Sequence, residues 1–164
     1  MDMPVPKPQA EHRWLQKLVG DWSVEGEASM GPDQPPQKMT GTESVRTIGG
    51  LWTLGEGRGK MPDGTEAVTL MTLGYDPAKG RFLGTFIGSM MTHMWIYDGK
   101  LDTKKNELAL IAEGPNMAGD GTLIDYKDVI TFKNDDHRVL TSFTQGKSGA
   151  WDQQFMEAHY RRSR

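Results

Sequence analysis

Four histidines are the residues of this sequence best suited to acid–base, metal or haem chemistry: His12, His93, His137 and His159. An imidazole titrates near neutral pH and is the commonest metal ligand in proteins. None of the four lies four residues from another, and neither H-E-x-x-H nor H-x-H occurs, so a metal site would have to be assembled from separate strands. The sequence therefore predicts no metal site.

The histidines differ in their expected surroundings. His12 falls on the polar side of a predicted helix, and His137 lies in the polar turn NDDHR, so both are expected to face solvent. His93 and His159 lie within predicted strands, where a cavity could reach them. A hydrogen-bonded structural role is favoured for each of these two, ahead of ligand contact and of metal or haem ligation. The methionines around His93 could supply an axial sulfur, but methionine more often fills irregular apolar space.

No catalytic constellation is visible in the sequence. Cysteine is absent, which excludes thiol nucleophiles and disulfides, and neither a G-x-S-x-G nor a Walker-type loop occurs. Same-face charged positions such as Glu43, Glu56 and Arg58 are typical of the solvated outside of a sheet. No catalytic residue is predicted, and an enzyme is not the favoured interpretation.

One helix and about ten strands would have to position these side chains. Residues 9–19 carry apolar residues at helical spacing, and Gly20 is a suitable end. Apolar and polar residues then alternate, and turn signals recur about every ten residues, including YDGK at 97–100. The predicted strands are 21–30, 39–48, 51–60, 66–75, 81–88, 93–98, 107–113, 122–132, 137–144 and 151–161.

Closely spaced strands without crossover helices must pair antiparallel with their neighbours. Closing such a meander into an up-and-down β-barrel removes its exposed edges, so the predicted fold is an all-β barrel of about ten strands capped by the N-terminal helix. A two-sheet sandwich is the alternative. Residues 1–8 are expected to be a flexible arm, and residues 9–164 a single domain.

The segment Gly20–Asp21–Trp22, placed between a short helix and a strand, resembles the pattern of calycins, the lipocalins and fatty-acid-binding proteins. The resemblance implies that Trp22 lies across the closed end of the barrel. It also implies that a basic side chain from the last strand, Arg161 or Arg162, packs over the indole as a cation–π pair. Gly20 would permit the sharp exit from the helix.

Longer stretches resemble the bacterial family called domain of unknown function 1579. They are HRWLQKLVGDW, GTESVRTIGGLWTL, TLGYDPAKGRFLGTFIGSMMTHMW and FMEAHYRR. This resemblance implies a lipocalin-like barrel and no established activity, so it supplies no catalytic residues. Nitrobindins are barrels that bind haem through a histidine, but their glycine-rich extension of the tryptophan motif is missing here. Haem is therefore kept only as an alternative, and no cofactor is predicted.

The strands at 66–75, 81–88 and 93–98 are apolar on both faces. One face must line the lumen, and the other must be covered. The candidate lumen residues are His93, Trp95, Tyr97, Phe86, Met71 and His159. A register shifted by one residue would instead turn Met94 and Ile96 inward.

The covered outer face favours a homo-oligomer, with a dimer preferred; coverage by the N-terminal arm is the alternative. The net charge of −3 argues against nucleic acid, and no apolar run could cross a membrane. The lack of cysteine fits a cytoplasmic location.

The favoured function is the binding of a small apolar or planar molecule in the barrel lumen, because flat rings with polar edges suit such a ligand. Two alternatives remain. One is a haem protein or small enzyme that uses His93 or His159 in the cavity. The other is an oligomeric interaction protein whose barrel is filled.

Overall fold

The structure, a computed structural model, describes residues 3–29 and 33–163. Predictions for residues 1–2 of the arm, for residues 30–32 at the end of the first predicted strand and in the loop after it, and for Arg164 lie outside this range. The elements are a helix α1, a short 3₁₀ turn and ten strands: α1 Ala10–Leu15, the 3₁₀ turn Gln16–Leu18, β1 Gly20–Ala28, β2 Gln37–Ile48, β3 Trp52–Lys60, β4 Glu66–Asp76, β5 Arg81–Gly88, β6 Trp95–Asp102, β7 Glu107–Pro115, β8 Leu123–Asn134, β9 His137–Thr144 and β10 Gln153–Arg162.

The strands form one closed antiparallel barrel, in which each pairs with its sequence neighbours and β1 also pairs with β10. This topology confirms the predicted barrel and excludes the two-sheet sandwich. The predicted turn at 97–100 is wrong, because these residues continue β6. Gly99 is there for close packing: a Cβ would lie 2.7 Å from Cδ2 of Leu110 and 3.1 Å from Cβ of Phe82.

The core occupies the half of the barrel beneath the helix. Three side chains from α1 and the 3₁₀ turn, Trp14, Leu15 and Leu18, are buried there against the inward residues of the strands. Because consecutive strand residues point to opposite faces, Trp22 is 1% exposed while its neighbours on β1 face solvent. The helix is shorter than predicted, and it closes this end of the barrel.

Trp22 is anchored to the end of the helical segment. Its Nε1 donates to the carbonyl oxygen of Leu18 at 2.8 Å, and Cζ of Arg162 lies 4.2 Å from the indole centroid. The same guanidinium donates to the carbonyl oxygens of Val19 and Lys17, at 2.8 and 3.0 Å. Arg162 thus binds carbonyl groups where the helical segment ends, besides covering the indole.

The position of Gly20 is explained by this contact. Its φ of 132° is a conformation that other residues rarely adopt, and a Cβ would lie 2.4 Å from Nη1 of Arg162. Arg161 pairs with Ser23 on β1 and points to the outside of the barrel. Of the two arginines considered for the indole, the structure therefore brings Arg162 to it.

The outside of β4–β6 carries exposed apolar side chains: Ile87 on β5 and Ile96 on β6 are 40% and 68% exposed, and Met94, just before β6, is 51% exposed. The arm residues Pro6 and Pro8 lie elsewhere, beside a groove at the helix end of the barrel. Within the described residues, no helix is long and apolar enough to cross a membrane.

Candidate functional site

The half of the lumen away from the helix contains a cavity of about 430 Å³. Apolar side chains dominate its walls, and five methionines are among them: Met39, Met61, Met71, Met90 and Met156. The wall formed by β2 and β3 is lined by glycines at 41, 57 and 59, which contribute no side chains and leave the lumen wide. A cavity of this size and polarity is typical of small-molecule sites.

An ion pair lies at the polar side of this cavity. Nη2 of Arg138 donates to Oε1 of Glu43, and the two side chains are 4% and 14% exposed. The guanidinium of Arg138 lies between two aromatic rings, with Cζ 4.0 Å from the Tyr160 centroid and 4.7 Å from the Trp22 centroid. Glu43 and Tyr160 line the cavity, whereas the guanidinium is enclosed. Its Nε has no hydrogen-bond partner among the described residues.

Tyr160 is the second polar residue at this side of the cavity. Within residues 3–29 and 33–163, no hydrogen bond to its Oη is found, although the ring is packed against Arg138 and lines the cavity. Burial raises the pKa of Tyr160 above its usual value, and the charge of Glu43 raises it further, so the phenol stays protonated. A protonated phenol is a hydrogen-bond donor available to a ligand.

A second polar cluster lies on the β6–β9 side of the barrel interior. Tyr97 Oη and Ser142 Oγ each donate to a different oxygen of Asp128, both at 2.6 Å. Burial raises the pKa of Asp128, and the two hydrogen bonds oppose that shift. The pKa of Tyr97 is raised by burial and by the charge of Asp128. None of the three side chains lines the cavity, so this cluster belongs to the barrel interior.

The candidate lumen residues are only partly brought together. Met71 and Phe86 line the cavity side by side, as register partners on β4 and β5. Trp95 and Tyr97 point to the same inner face of the barrel as Met71 and Phe86, but the hydroxyl of Tyr97 is hydrogen-bonded to Asp128. The ring of Trp95 packs edge-on against Tyr126, with centroids 5.0 Å apart. Neither Trp95 nor Tyr97 reaches the cavity surface.

His93 lies in the loop before β6, at the open end. Its Nε2 is 2.9 Å from the carbonyl oxygen of Glu113, and its ring stands edge-on to Trp95 with centroids 4.9 Å apart. A carbonyl can only accept, so Nε2 is the donor in this bond and is not free to bind a haem iron. His93 does not line the cavity.

His159 was predicted to line the lumen, but this prediction is wrong. It lies on the outer face of β10, opposite Glu25 on β1. Its neighbour Tyr160 takes the inward position because the alternation that places Arg162 over Trp22 also turns residue 160 inward. Nδ1 of His159 is 2.9 Å from Nε2 of His137, and the two rings stack. Burial and nearby positive charges, first that of Arg161, lower the pKa of His137.

Two further expectations are wrong. Glu43 was expected on the solvated outside, but β2 turns it into the lumen, where it pairs with Arg138. His12 was expected to face solvent, but it is 4% exposed: its Nδ1 accepts from the backbone N–H of Gln9, and its Nε2 donates to the carbonyl of Tyr75. In the part of the chain that the structure describes, no group of three or more His, Cys, Asp or Glu residues could hold a metal ion.

The model of a family described as "Protein of unknown function (DUF1579)" matches residues 7–162. The chain belongs to the DUF1579 family. No curated protein matches its sequence.

Solved structures share the fold of this DUF1579 chain at low identity. Rv2717c from M. tuberculosis is 14% identical with a TM-score of 0.61, over 96% of this chain and 100% of that one. The S-type phycobiliprotein lyase CPES from Guillardia theta is 12% identical with a TM-score of 0.59, over 96% and 99%. EF1p2_mFAP2b, bound to DFHBI, is 16% identical with a TM-score of 0.50, over 93% and 98%. At these identities the likeness concerns the fold alone.

Sequence reasoning missed Glu43, Arg138 and Tyr160 in this DUF1579 chain. A signal existed for Tyr160, since it lies two residues before Arg162 and must share its face. No such signal existed for the other two. Arg138 follows the polar run Asn134–His137 and reads as part of a solvated turn, and its pairing with Glu43 joins residues 95 positions apart.

Proposed function

We propose that this protein binds a small, mostly apolar molecule in the open half of the barrel. The observation that carries the proposal is the cavity of about 430 Å³, which has mainly apolar walls and the polar side chains of Glu43 and Tyr160 at one side. Apolar walls supply affinity by removing ligand surface from water, and a few polar groups fix orientation. The five methionines suit an interior that adapts to the ligand. A barrel of similar fold, EF1p2_mFAP2b, is bound to DFHBI.

The histidine-based alternatives have less support. His93 uses Nε2 to bind a backbone carbonyl, and His159 is paired with His137 on the outer face. Neither residue lines the cavity, so a haem protein or enzyme working there would need other side chains. Ligand binding requires only the cavity itself.

Titration with Nile red, a neutral fluorophore whose emission increases in apolar surroundings, tests the proposal. We expect saturable binding by the native protein. Ala67 and Val68 are neighbours on β4, and only Ala67 lines the cavity. Ala67→Trp should therefore abolish saturable binding by filling the cavity mouth, while Val68→Trp on the outer face should bind as the native protein does. Equal binding by both variants, or none by the native protein, would refute a lumen site.

We also propose that the apolar outside of β4–β6 pairs with a second copy of the chain. Ile87, Met94 and Ile96 are exposed together there, and the arm residues Pro6 and Pro8 lie at the other end of the barrel. Sedimentation velocity should show a dimer that Ile96→Lys converts to a monomer. A native monomer at high protein concentration would rule out the pairing.

A further inference from the structure

We infer that the ligand of this cavity carries a neutral hydroxyl group, as an alcohol or phenol does, and that the cavity rejects carboxylates. The inference rests on the proposed function and concerns the chemistry at the polar side of the same cavity. The basis of the inference is the set of polar atoms that a ligand can reach on Glu43, Arg138 and Tyr160.

The positive charge at this side is not available to a ligand. The Arg138 side chain is 4% exposed, its two faces are occupied by the rings of Trp22 and Tyr160, and it donates to Glu43. A carboxylate ligand would have to displace Glu43 to reach the guanidinium. It would also meet the carboxylate of Glu43, and a like-charge contact in a water-poor site strongly disfavours binding.

The groups that do line the cavity are complementary to a hydroxyl. The carboxylate of Glu43 can only accept a hydrogen bond, and the phenol of Tyr160 is free to donate one. A ligand hydroxyl can donate to Glu43 and accept from Tyr160 at the same time. An ether can only accept, so it would satisfy Tyr160 and leave Glu43 without a ligand partner.

The rest of the cavity sets the body of the ligand. Its walls are mainly apolar side chains and bare glycine backbone, with the hydroxyl of Thr69 on β4 as a further polar group, so most of the remaining molecule should be hydrocarbon-like. Lys38, Arg58 and Lys60 also border the cavity, but they are exposed and alternate with the inward residues of β2 and β3, so their charges face solvent. A buried polar group without a partner is disfavoured, so we expect a single polar head on an apolar body.

Displacement of Nile red by three probes of equal chain length tests the inference: decanol, decyl methyl ether and decanoate. We expect decanol to displace the fluorophore at a concentration at least about tenfold lower than decanoate, with the ether between them. Tyr160→Phe should weaken decanol about three- to tenfold, the worth of one hydrogen bond. The matched control is Tyr75→Phe, which removes a tyrosine hydroxyl at the helix end of the barrel and should leave decanol binding unchanged.

The second variant is Glu43→Gln, which should raise decanoate affinity at least about tenfold because the repelling charge is gone and Arg138 is released. Glu113→Gln, on an exposed side chain, is its control. If Glu43→Gln does not fold, as judged by circular dichroism, the Tyr160→Phe result decides. Equal displacement by all three probes, or unchanged decanol affinity in Tyr160→Phe, would overturn the hydroxyl inference while lumen binding stands. Absence of saturable Nile red binding would overturn both.

Discussion

The substitution Glu43→Gln should destabilise the barrel by about 3 kcal/mol, because it leaves the charge of Arg138 buried without a counter-charge. Removing one partner of a buried ion pair typically costs about 3–5 kcal/mol. The lower end applies here because Glu43 keeps 14% exposure through the cavity, whereas Arg138 has 4%. For a chain of this length, about 3 kcal/mol corresponds to a decrease in Tm of about 6–12 °C.

Urea unfolding followed by tryptophan fluorescence measures this cost, since Trp22 lies directly against the guanidinium of Arg138. The double variant Glu43→Gln/Arg138→Met should recover most of the lost stability, because replacing both charges by apolar or neutral groups removes the desolvation cost. The matched control is Glu66→Gln, which breaks the exposed pair with Arg58 and should cost less than about 1 kcal/mol.

Two results would refute this reasoning. If Glu43→Gln unfolds within about 1 kcal/mol of the native protein, the guanidinium is solvated well enough without its partner. If the double variant is less stable than the single one, the contacts of Arg138 with the two rings outweigh its unpaired charge.

Three further outcomes are expected. Burial raises the pKa of Asp128 above its ordinary value of 3.8, so its contribution to the free energy of unfolding is fully present below that pH and is lost as the pH rises through the raised pKa. The stability of Asp128→Asn relative to the native protein should therefore increase from pH 3 to 7. A difference that does not change with pH would contradict this. Arg162→Met should cost about 2–4 kcal/mol in urea unfolding, since it removes hydrogen bonds to backbone carbonyls and the cation–π contact with Trp22. Gly114→Ala should cost about 1–3 kcal/mol and change the fluorescence of Trp95, whose ring atoms lie 2.1 Å from the position of the added Cβ; native-like emission would show that the ring moves freely.

The barrel could be predicted because its signals are local. Alternating polarity marks each strand, turn residues separate the strands, and Gly20 with Trp22 marks the passage from helix to β1. The turn predicted at 97–100 shows the limit of such signals. Gly99 lets the backbone of β6 pack closely against Phe82 and Leu110. From the sequence alone, a glycine needed for such packing cannot be distinguished from a glycine in a turn.

The site was harder to predict because its polar residues come from distant parts of the chain. Met71 and Phe86 are among the predicted lumen residues and do line the cavity, but both faces of their strands are apolar, so only the structure shows which face is inward. Glu43 was misplaced because a charged residue in an alternating strand is usually exposed, and only a partner can make its burial acceptable. That partner, Arg138, lies on a strand that is not adjacent to β2 in the barrel.

By itself the sequence determined the strands and their order and favoured closure of the sheet, because these follow from short-range alternation and turn spacing. The contact of Trp22 with an arginine of the last strand was implied by the resemblance to calycins, and the structure decided that Arg162 makes it. The tertiary structure alone decided which polar groups meet in the lumen. Closure of the barrel brings Glu43, Arg138 and Tyr160 together and turns His159 outward. The free energy of burying a charge depends on whether an oppositely charged partner is in contact with it, and residue type alone does not reveal that.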